Sequence, residues 1–378
     1  MRDFNQYNIN DMRRYIGAEN FGVILDNSNE KYNTAIWRNY AMWGTPSDDK
    51  EWIQGQKETP IMVRASLLDT HSNKPQRNTG GWSYYGGSIL KLGHGFSIDE
   101  DDLFQMRRNH NMTHVPMAIL MADDVQSRSD MMIGGVHNEL NYLTLQSLST
   151  GSIKEFSVDG VAHDYKFPIA DNHFISAEKP WFKVDGGKVV ADDTADPIQD
   201  LLDAQKFLTD TLRLNVDHWK LSKELFDRLI LHPVVQKYCT GKMNYIKPEN
   251  VKLSSNEILS AMHDMGVWMF DVIDYKSAHE EDGYSVPDAP AFDEHNLVAC
   301  SSMIVPFEMK CTNSIYLDRL AYGGVSQSEN YHLVEGRIMV QNSWQERPIK
   351  NIVDCELYAA PVFNNIREIA FFTAWKDA

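Results

Sequence analysis

Thirteen consecutive residues, Asp69 to Gly81, include no hydrophobic side chain. Such a stretch cannot be core, so it must be a solvated or partner-bound loop. The apolar run Ile61 to Leu68 leads into it, and Trp82-Ser83-Tyr84-Tyr85-Gly86-Gly87-Ser88-Ile89-Leu90-Lys91-Leu92 leads out, rich in aromatic and alternating residues. The whole is expected to be a long two-stranded excursion from Ile61 to Leu92. Isolated two-stranded ribbons are marginal in water, so a neighbouring surface must support this one. Trp82, Tyr84 and Tyr85 are its candidate subunit-contact residues, because exposed rings beside glycines gain most when a partner desolvates them. From Met1 to about Pro60 the aromatics Trp37, Tyr40, Trp43 and Trp52 follow neither a helical nor a strand period. That segment is expected to be an arm that packs on something other than itself.

The rest of the 378-residue chain is ordinary globular sequence, with 43% hydrophobic and 24% charged residues, 16 Phe, 16 Tyr and 9 Trp. Disordered, collagenous and coiled-coil readings fall away. A net charge of −17 repels phosphate, which excludes a general nucleic-acid binder. The start, Met1 to Gln6, lacks the apolar centre of a secretory signal, and no stretch reaches the roughly 20 apolar residues that span a bilayer. Synthesis and retention in the cytosol are expected, with no membrane association. The four cysteines, Cys239, Cys300, Cys311 and Cys355, show no CxxC spacing and are expected to be buried, reduced thiols.

Local signals place the elements. Ser97-Ile98-Asp99-Glu100 reads as a capping box opening a short helix. Ile133, Val136, Leu140 and Leu143 make the stripe of an amphipathic helix from Val125 to Ser149, bent or weakened at Gly134-Gly135 and closed by Gly151. Asp159-Gly160 predicts a hairpin between Ile153–Val158 and Val161–Phe167. Asp196-Pro197 starts a helix, His218 to Leu221 a short strand, Ser222 and His232-Pro233 further helices. Ser254-Ser255-Asn256-Glu257 is a capping box for a helix to Gly266, with a strand from Val267 to Ile273 and a polar loop from Lys276 to Glu294. Arg337–Trp344, Ile352–Ala359 and Ile366–Ala374 have strand composition.

Each catalytic motif fails at the residue its mechanism most needs. Gly93-His94-Gly95 has Ile98 where a dinucleotide fingerprint requires its third glycine. Gly187-Lys188 and Gly241-Lys242 have Phe182 and Gln236 where a phosphate loop needs glycine. Gly324 to Ser328 ends in serine where a nucleophile elbow needs glycine. His279-Glu280-Glu281-Asp282 lacks the second histidine of a zinc-protease helix, Asp99 to Asp102 lacks calcium-loop spacing, and His263-Asp264 has no nucleophile beside it. No catalytic, cofactor or metal site is expected.

The order of segments resembles a known family. Glu139 to Ile153, a helix ending in glycine, leads through the Asp159-Gly160 hairpin to Tyr165-Lys166-Phe167, then Trp181, Ala195-Asp196-Pro197-Ile198-Gln199-Asp200-Leu201, His218-Trp219-Lys220-Leu221-Ser222 and His232-Pro233-Val234-Val235. With Val334-Glu335-Gly336-Arg337-Ile338 and Cys355-Glu356-Leu357-Tyr358-Ala359-Ala360-Pro361-Val362, this resembles major capsid proteins of lambda-like tailed phages, whose fold is named after phage Hong Kong 97. The resemblance covers about Met131 to Ala374. It implies an α+β fold with an N-terminal arm (1–60), an extended loop (61–96), a peripheral domain with a long spine helix (97–194), an axial α/β domain (195–334), and C-terminal strands (335–378) returning to the peripheral domain. It also implies a non-enzymatic subunit without cofactors, assembled in the host cytoplasm into the virion as hexamers and pentamers of itself. Such a shell encloses DNA without sequence-specific binding and has scaffold, portal and decoration proteins as further candidate partners. The family's lysine–asparagine crosslink finds no matching site here. An encapsulin-like compartment and, from another class, a soluble hydrolase with dispersed catalytic residues are the alternatives.

Overall fold

The computed structural model describes residues 19–57, 65–68, 73–76, 81–157, 159–242, 253–281, 284–318 and 329–376. The chain opens with α1 (Glu19–Glu30), a 3-10 turn at Ile36–Asn39, β1 (Ala41–Trp43), β2 (Glu51–Lys57), β3 (Trp82–Ser88) and β4 (Leu90–Asp99). Next come α2 (Glu100–Thr113), α3 (Met117–Thr150), β5 (Ser152–Phe156), β6 (Ala162–Lys166), β7 (Phe174–Ser176), β8 (Phe182–Asp185) and β9 (Lys188–Ala191). α4 (Pro197–Lys206) ends in a π turn and is followed by β10 (His218–Ser222), α5 (Lys223–Ile230), α6 (Pro233–Lys242), α7 (Ser255–Asp264) and β11 (Met269–Ile273). The hairpin β12 (Ala278–Glu281) and β13 (Tyr284–Pro287) precedes β14 (Asn296–Cys300), β15 (Phe307–Thr312), β16 (Glu329–Val334), β17 (Ile338–Glu346), β18 (Ile349–Phe363) and β19 (Ala370–Thr373).

One sheet has the order β1-β15-β18-β17-β16, with β4 also on β18. The long β18 pairs along Lys350–Ala359 with β4 and along Tyr358–Phe363 with β15. Against β4 and β18 lies α3, 34 residues long. Its stripe is buried as expected, but Met132, His137, Thr144, Leu145, Ser147 and Leu148 are buried too. A helix apolar on one stripe sits at a surface, whereas one covered on most sides is core. No break interrupts it at the glycine pair. A side chain at Gly134 would run into the Tyr32 hydroxyl, and one at Gly135 would meet the His94 ring, so these glycines admit close neighbours. Gly151 closes α3 at φ +67, its N–H donating to Ser147 O at 2.9 Å.

The second sheet has the order β11-β10-β14-β19-β7 and carries α4 to α7. Its local starts follow the sequence. Asp196 accepts from Gln199 N at 3.1 Å, Ser222 from Leu225 N at 3.2 Å, and Ser254 with Glu257 forms a full capping box. Leu297, Ala299, Ala370 and Phe372 face one core with Trp181, Leu201 and Trp219. Val298 and Phe371 face the other core, with Ile133 and Leu140 of α3. The sheet therefore lies between both cores.

Several expectations are corrected. The segment before Pro60, as far as it is described, is no arm: Leu25, Trp37 and Trp52 are buried in the chain's own core. Its aromatics lack a period because each is placed by a separate long-range partner. The excursion's outgoing strand is β2, starting at Glu51; Ile61 to Arg64 lie outside the described residues, as do most of Asp69 to Gly81, and Leu67 and Leu68 are exposed and in no strand. Asp99, not Ser97, caps α2, with Asp102 closing the box, because pairing to β18 keeps Ser97 and Ile98 extended. The polar loop from Lys276 contains the β12–β13 hairpin. β15 and β16 join the first sheet instead of the axial part, and β19 joins the second sheet instead of returning with 335–378. β19 is a short apolar run with both faces buried, and such a run does not encode which sheet it enters.

A polar network fixes the N-terminal segment. Trp37 Nε1 donates to His137 Nδ1 at 3.2 Å, so His137 Nε2 carries the proton and donates to Asn29 Oδ1 at 2.8 Å. Trp37 N donates to Asn141 Oδ1 at 2.8 Å. Glu335, in the β16–β17 turn, accepts from Arg38 at 2.9 and 2.7 Å, from Trp43 Nε1 at 3.0 Å and from Asn29 Nδ2 at 3.4 Å.

Two outcomes are expected. Glu335→Ala leaves Arg38, Trp43 and Asn29 without their acceptor and should lower unfolding free energy by about 2–4 kcal/mol in denaturant titrations; a change under about 0.5 kcal/mol would contradict the network's role. Burial, with Arg38 nearby, pushes His137 down to about 4. The neutral form is the folded form, so its contribution is full above pH about 6.5 and is lost as pH falls towards 4, on the order of 3 kcal/mol at most. His137→Gln should remove that part of the pH dependence, so the stability gap between wild type and variant narrows in acid. A gap that stays constant from pH 7.5 to 4.5 would sink this reading.

Candidate assembly surface

β2 and β3 pair antiparallel from Glu51↔Ser88 to Lys57↔Trp82. Because side chains alternate across a strand, the ribbon has two distinct faces. Trp52, Gln56 and Tyr85 share the inner one. Trp52 meets Tyr85 edge-on at 5.8 Å and Tyr165 at 5.4 Å, and Tyr85 Oη donates to Phe363 O at 2.7 Å. Gln56 bonds to the Asn365 side chain. Burial pushes the Tyr85 hydroxyl well above the usual tyrosine range, as fits a donor held in the core margin.

Ile53, Trp82 and Tyr84 share the outer face, 73%, 61% and 69% exposed. The Trp82 and Tyr84 rings lie nearly parallel with centroids 6.5 Å apart. Gly55 lies opposite Tyr84 and Gly86 opposite Ile53. A side chain at Gly55 would crowd the Tyr84 ring, and one at Gly86 would run into Trp52 O, so both glycines keep the stripe open. Ile53, Trp82 and Tyr84 thus expose apolar side chains on one face of a ribbon whose reverse side is anchored. Of the three residues singled out in the sequence, the structure brings Trp82 and Tyr84 together and turns Tyr85 inward. Ile53 was missed because β2 was read as part of the arm.

The chemical candidates sit elsewhere. Burial pushes Cys239 and Cys300 up to about 11 and Cys355 up to about 12, and raises Cys311, so none is a ready thiolate nucleophile. Among the described residues no group of three or more His, Cys, Asp or Glu could hold a metal ion. Gly93 to Gly95 lie inside β4, paired to β18; Gly187-Lys188 is a hairpin corner; Gly241-Lys242 ends α6. Gly324 to Ser328 lie outside the described residues. His263 is in the last turn of α7. His279 Nδ1 lies 2.6 Å from Asp288 Oδ1 at the base of the β12–β13 hairpin; of His94, His263 and His279, it is the one that meets a carboxylate among the described residues.

No protein-family model matches the chain, and no curated protein matches it. Among solved structures it is similar to a candidate prophage capsid protein of E. coli CFT073, at 10% identity over 94% of this chain and 97% of that one, TM-score 0.48. It is also similar to the capsid of Myoviridae phage XM1, at 10% identity over 90% and 91%, TM-score 0.40. A third is a virus-like particle from Pyrococcus furiosus, at 9% identity over 94% and 100%, TM-score 0.41.

The two faces predict opposite responses in the isolated subunit. Tyr85→Phe removes the bond to Phe363 O and should destabilise by about 1 kcal/mol. Trp82→Ser with Tyr84→Ser should shift stability by less than about 0.5 kcal/mol, because both rings already face water. Thermal unfolding of the variants checks this, and a double variant less stable than Tyr85→Phe would show that the outer rings pack on their own chain.

Proposed function

We propose that this chain is the major capsid protein of a tailed phage, a subunit that tiles with copies of itself into an icosahedral head around DNA. The observation that carries the reading is the ribbon: its inner face is built into the subunit core, and its outer face leaves Ile53, Trp82 and Tyr84 exposed to solvent. A compact monomer gains nothing from such an arrangement, whereas a shell subunit gains a desolvated contact at each neighbour. The sequence resemblance to lambda-like capsid proteins supports the same reading. So does the charge of −17, since a lining that held phosphate would hinder DNA packaging and release.

In this reading Trp82 and Tyr84 contact the adjacent subunit, and Tyr85 positions the ribbon that carries them. The peripheral domain is the first sheet with α3, and the axial domain is the second sheet with α4 to α7. The subunit performs no chemistry. It assembles in the host cytoplasm, resides in the virion, forms hexamers and pentamers, and works with scaffold, portal and decoration proteins.

Light scattering after size exclusion, with negative-stain microscopy, tests the reading on the full chain, with and without its cognate scaffold. Closed shells or capsomers are expected. Trp82→Ser with Tyr84→Ser should block them while leaving the subunit's circular dichroism unchanged. A monodisperse monomer under both conditions would refute the reading, and normal shells from the double variant would refute the role of the ribbon. Shells that fill with a cargo enzyme and not with DNA would favour the encapsulin-like alternative; turnover lost on mutating His279 with assembly intact would favour an enzyme.

A further inference from the structure

Two elements, the base of the β12–β13 hairpin and β5, converge on one face of α3. Tyr275 Oη, just before the β12–β13 hairpin, donates to Asn138 O at 3.0 Å. Two turns further along the same helix, Gln146 holds β5 at Lys154 through both ends of its side-chain amide, Oε1 accepting from Lys154 N at 2.8 Å and Nε2 donating to Lys154 O at 3.0 Å. Residues seven apart share a helix face, so Glu139 stands on the face that bears Gln146, between the hairpin base and β5. The base itself is closed by Asp288 N donating to Ser277 O at 3.1 Å and by His279 against Asp288 at 2.6 Å, with the Ser277 hydroxyl buried.

The charges there do not balance. The groups that act on Glu139 are Glu155 of β5 and Asp288 of the hairpin base, both acidic. The hydroxyls of Tyr142 and Tyr275 share the cluster, and His279, close to Asp288 and Glu155, is its base. Three ionised carboxylates from three elements repel one another, and a proton on one relieves the repulsion.

We propose that the base of the β12–β13 hairpin is a pH-operated clamp, closed on α3 and β5 while Glu139 holds a proton and loosened when that proton is lost. Burial first, then Glu155 and Asp288, push Glu139 up to about 7 in the closed state. With the hairpin open, an ordinary glutamate value near 4.3 applies. The clamp is therefore strongest below pH about 4.3, weakens as pH rises from there to about 7, and levels off beyond. This direction is opposite to that of His137, whose contribution grows over the same range, so local and global effects separate.

Hydrogen–deuterium exchange of the full chain from pH 4.5 to 8, corrected for intrinsic exchange, reads the clamp directly. Protection of peptides covering residues 274–291, relative to peptides of β17 and β18, should fall at least tenfold between pH 5 and 7.5 and then stay level. Glu139→Gln should hold the protection flat, and Glu155→Gln should shrink the fall by removing one facing charge. A flat wild-type profile would overturn the proposal, as would a Glu139→Gln profile that follows wild type. If Glu139→Gln does not fold, an unchanged profile in Glu155→Gln is equally decisive against it.

Discussion

The Glu335 carboxylate draws three side chains of the N-terminal segment onto the β16–β17 turn. Glu335 takes φ +53, the left-handed region that a β-carbon disfavours by about 1 kcal/mol. The turn persists because its side chain accepts from Arg38, Trp43 and Asn29 together. Burial alone would raise this carboxyl, yet the bonds and charge of Arg38 outweigh it and hold Glu335 below the ordinary range. Arg38 in turn lies over the Trp37 ring at 4.5 Å, and Trp37 donates to His137 in the middle of α3. Each link orients the next, so one acceptor in a hairpin turn settles where a segment remote in sequence must lie.

That dependence explains what the sequence reveals and what it hides. Signals whose partners are within four residues were legible: the caps at Asp196, Ser222 and Ser254, the Asp159-Gly160 hairpin, and Gly151 closing α3. Signals whose partners are remote were not. Trp37 and Trp52 read as aromatics without a period because Asn141, His137 and Tyr165 supply the context. Ser97 carried a plausible local cap that lost to pairing with β18. At the ribbon, Trp82 and Tyr84 were legible as exposed rings beside glycine. Strand parity alone separates Tyr84 from Tyr85, because consecutive strand residues face opposite sides.

The ribbon is not a loose appendage. Trp52 contacts Tyr165, Tyr165 meets Phe167 edge-on at 4.9 Å, Phe167 meets Phe363 at 4.8 Å, and Phe363 lies 4.2 Å from Phe307. This run of rings joins β2 to the β5–β6 hairpin and to β15 and β18. Edge-on aromatic pairs add roughly 0.5–1.5 kcal/mol each beyond the area they bury, so the base of the ribbon has a preferred geometry. An apolar stripe held at a fixed angle can be matched by a partner with little loss of conformational freedom.

The second sheet makes the two cores mechanically one. Along β14, Leu297 and Ala299 enter one core and Val298 the other; along β19, Ala370 and Phe372 enter one and Phe371 the other. A strand buried on both faces reads as a continuous apolar run, which is why these segments carried no sidedness in the sequence. The same burial forbids the cores from sliding apart, because separation would expose both Phe371 and Val298 while leaving Phe372 and Leu297 in place. The hairpin base meets α3 differently, through the Tyr275 hydroxyl on Asn138 O and across the mutually repelling carboxyl groups of Glu139, Glu155 and Asp288, so it is not tied to the sheet by the apolar packing that joins the cores.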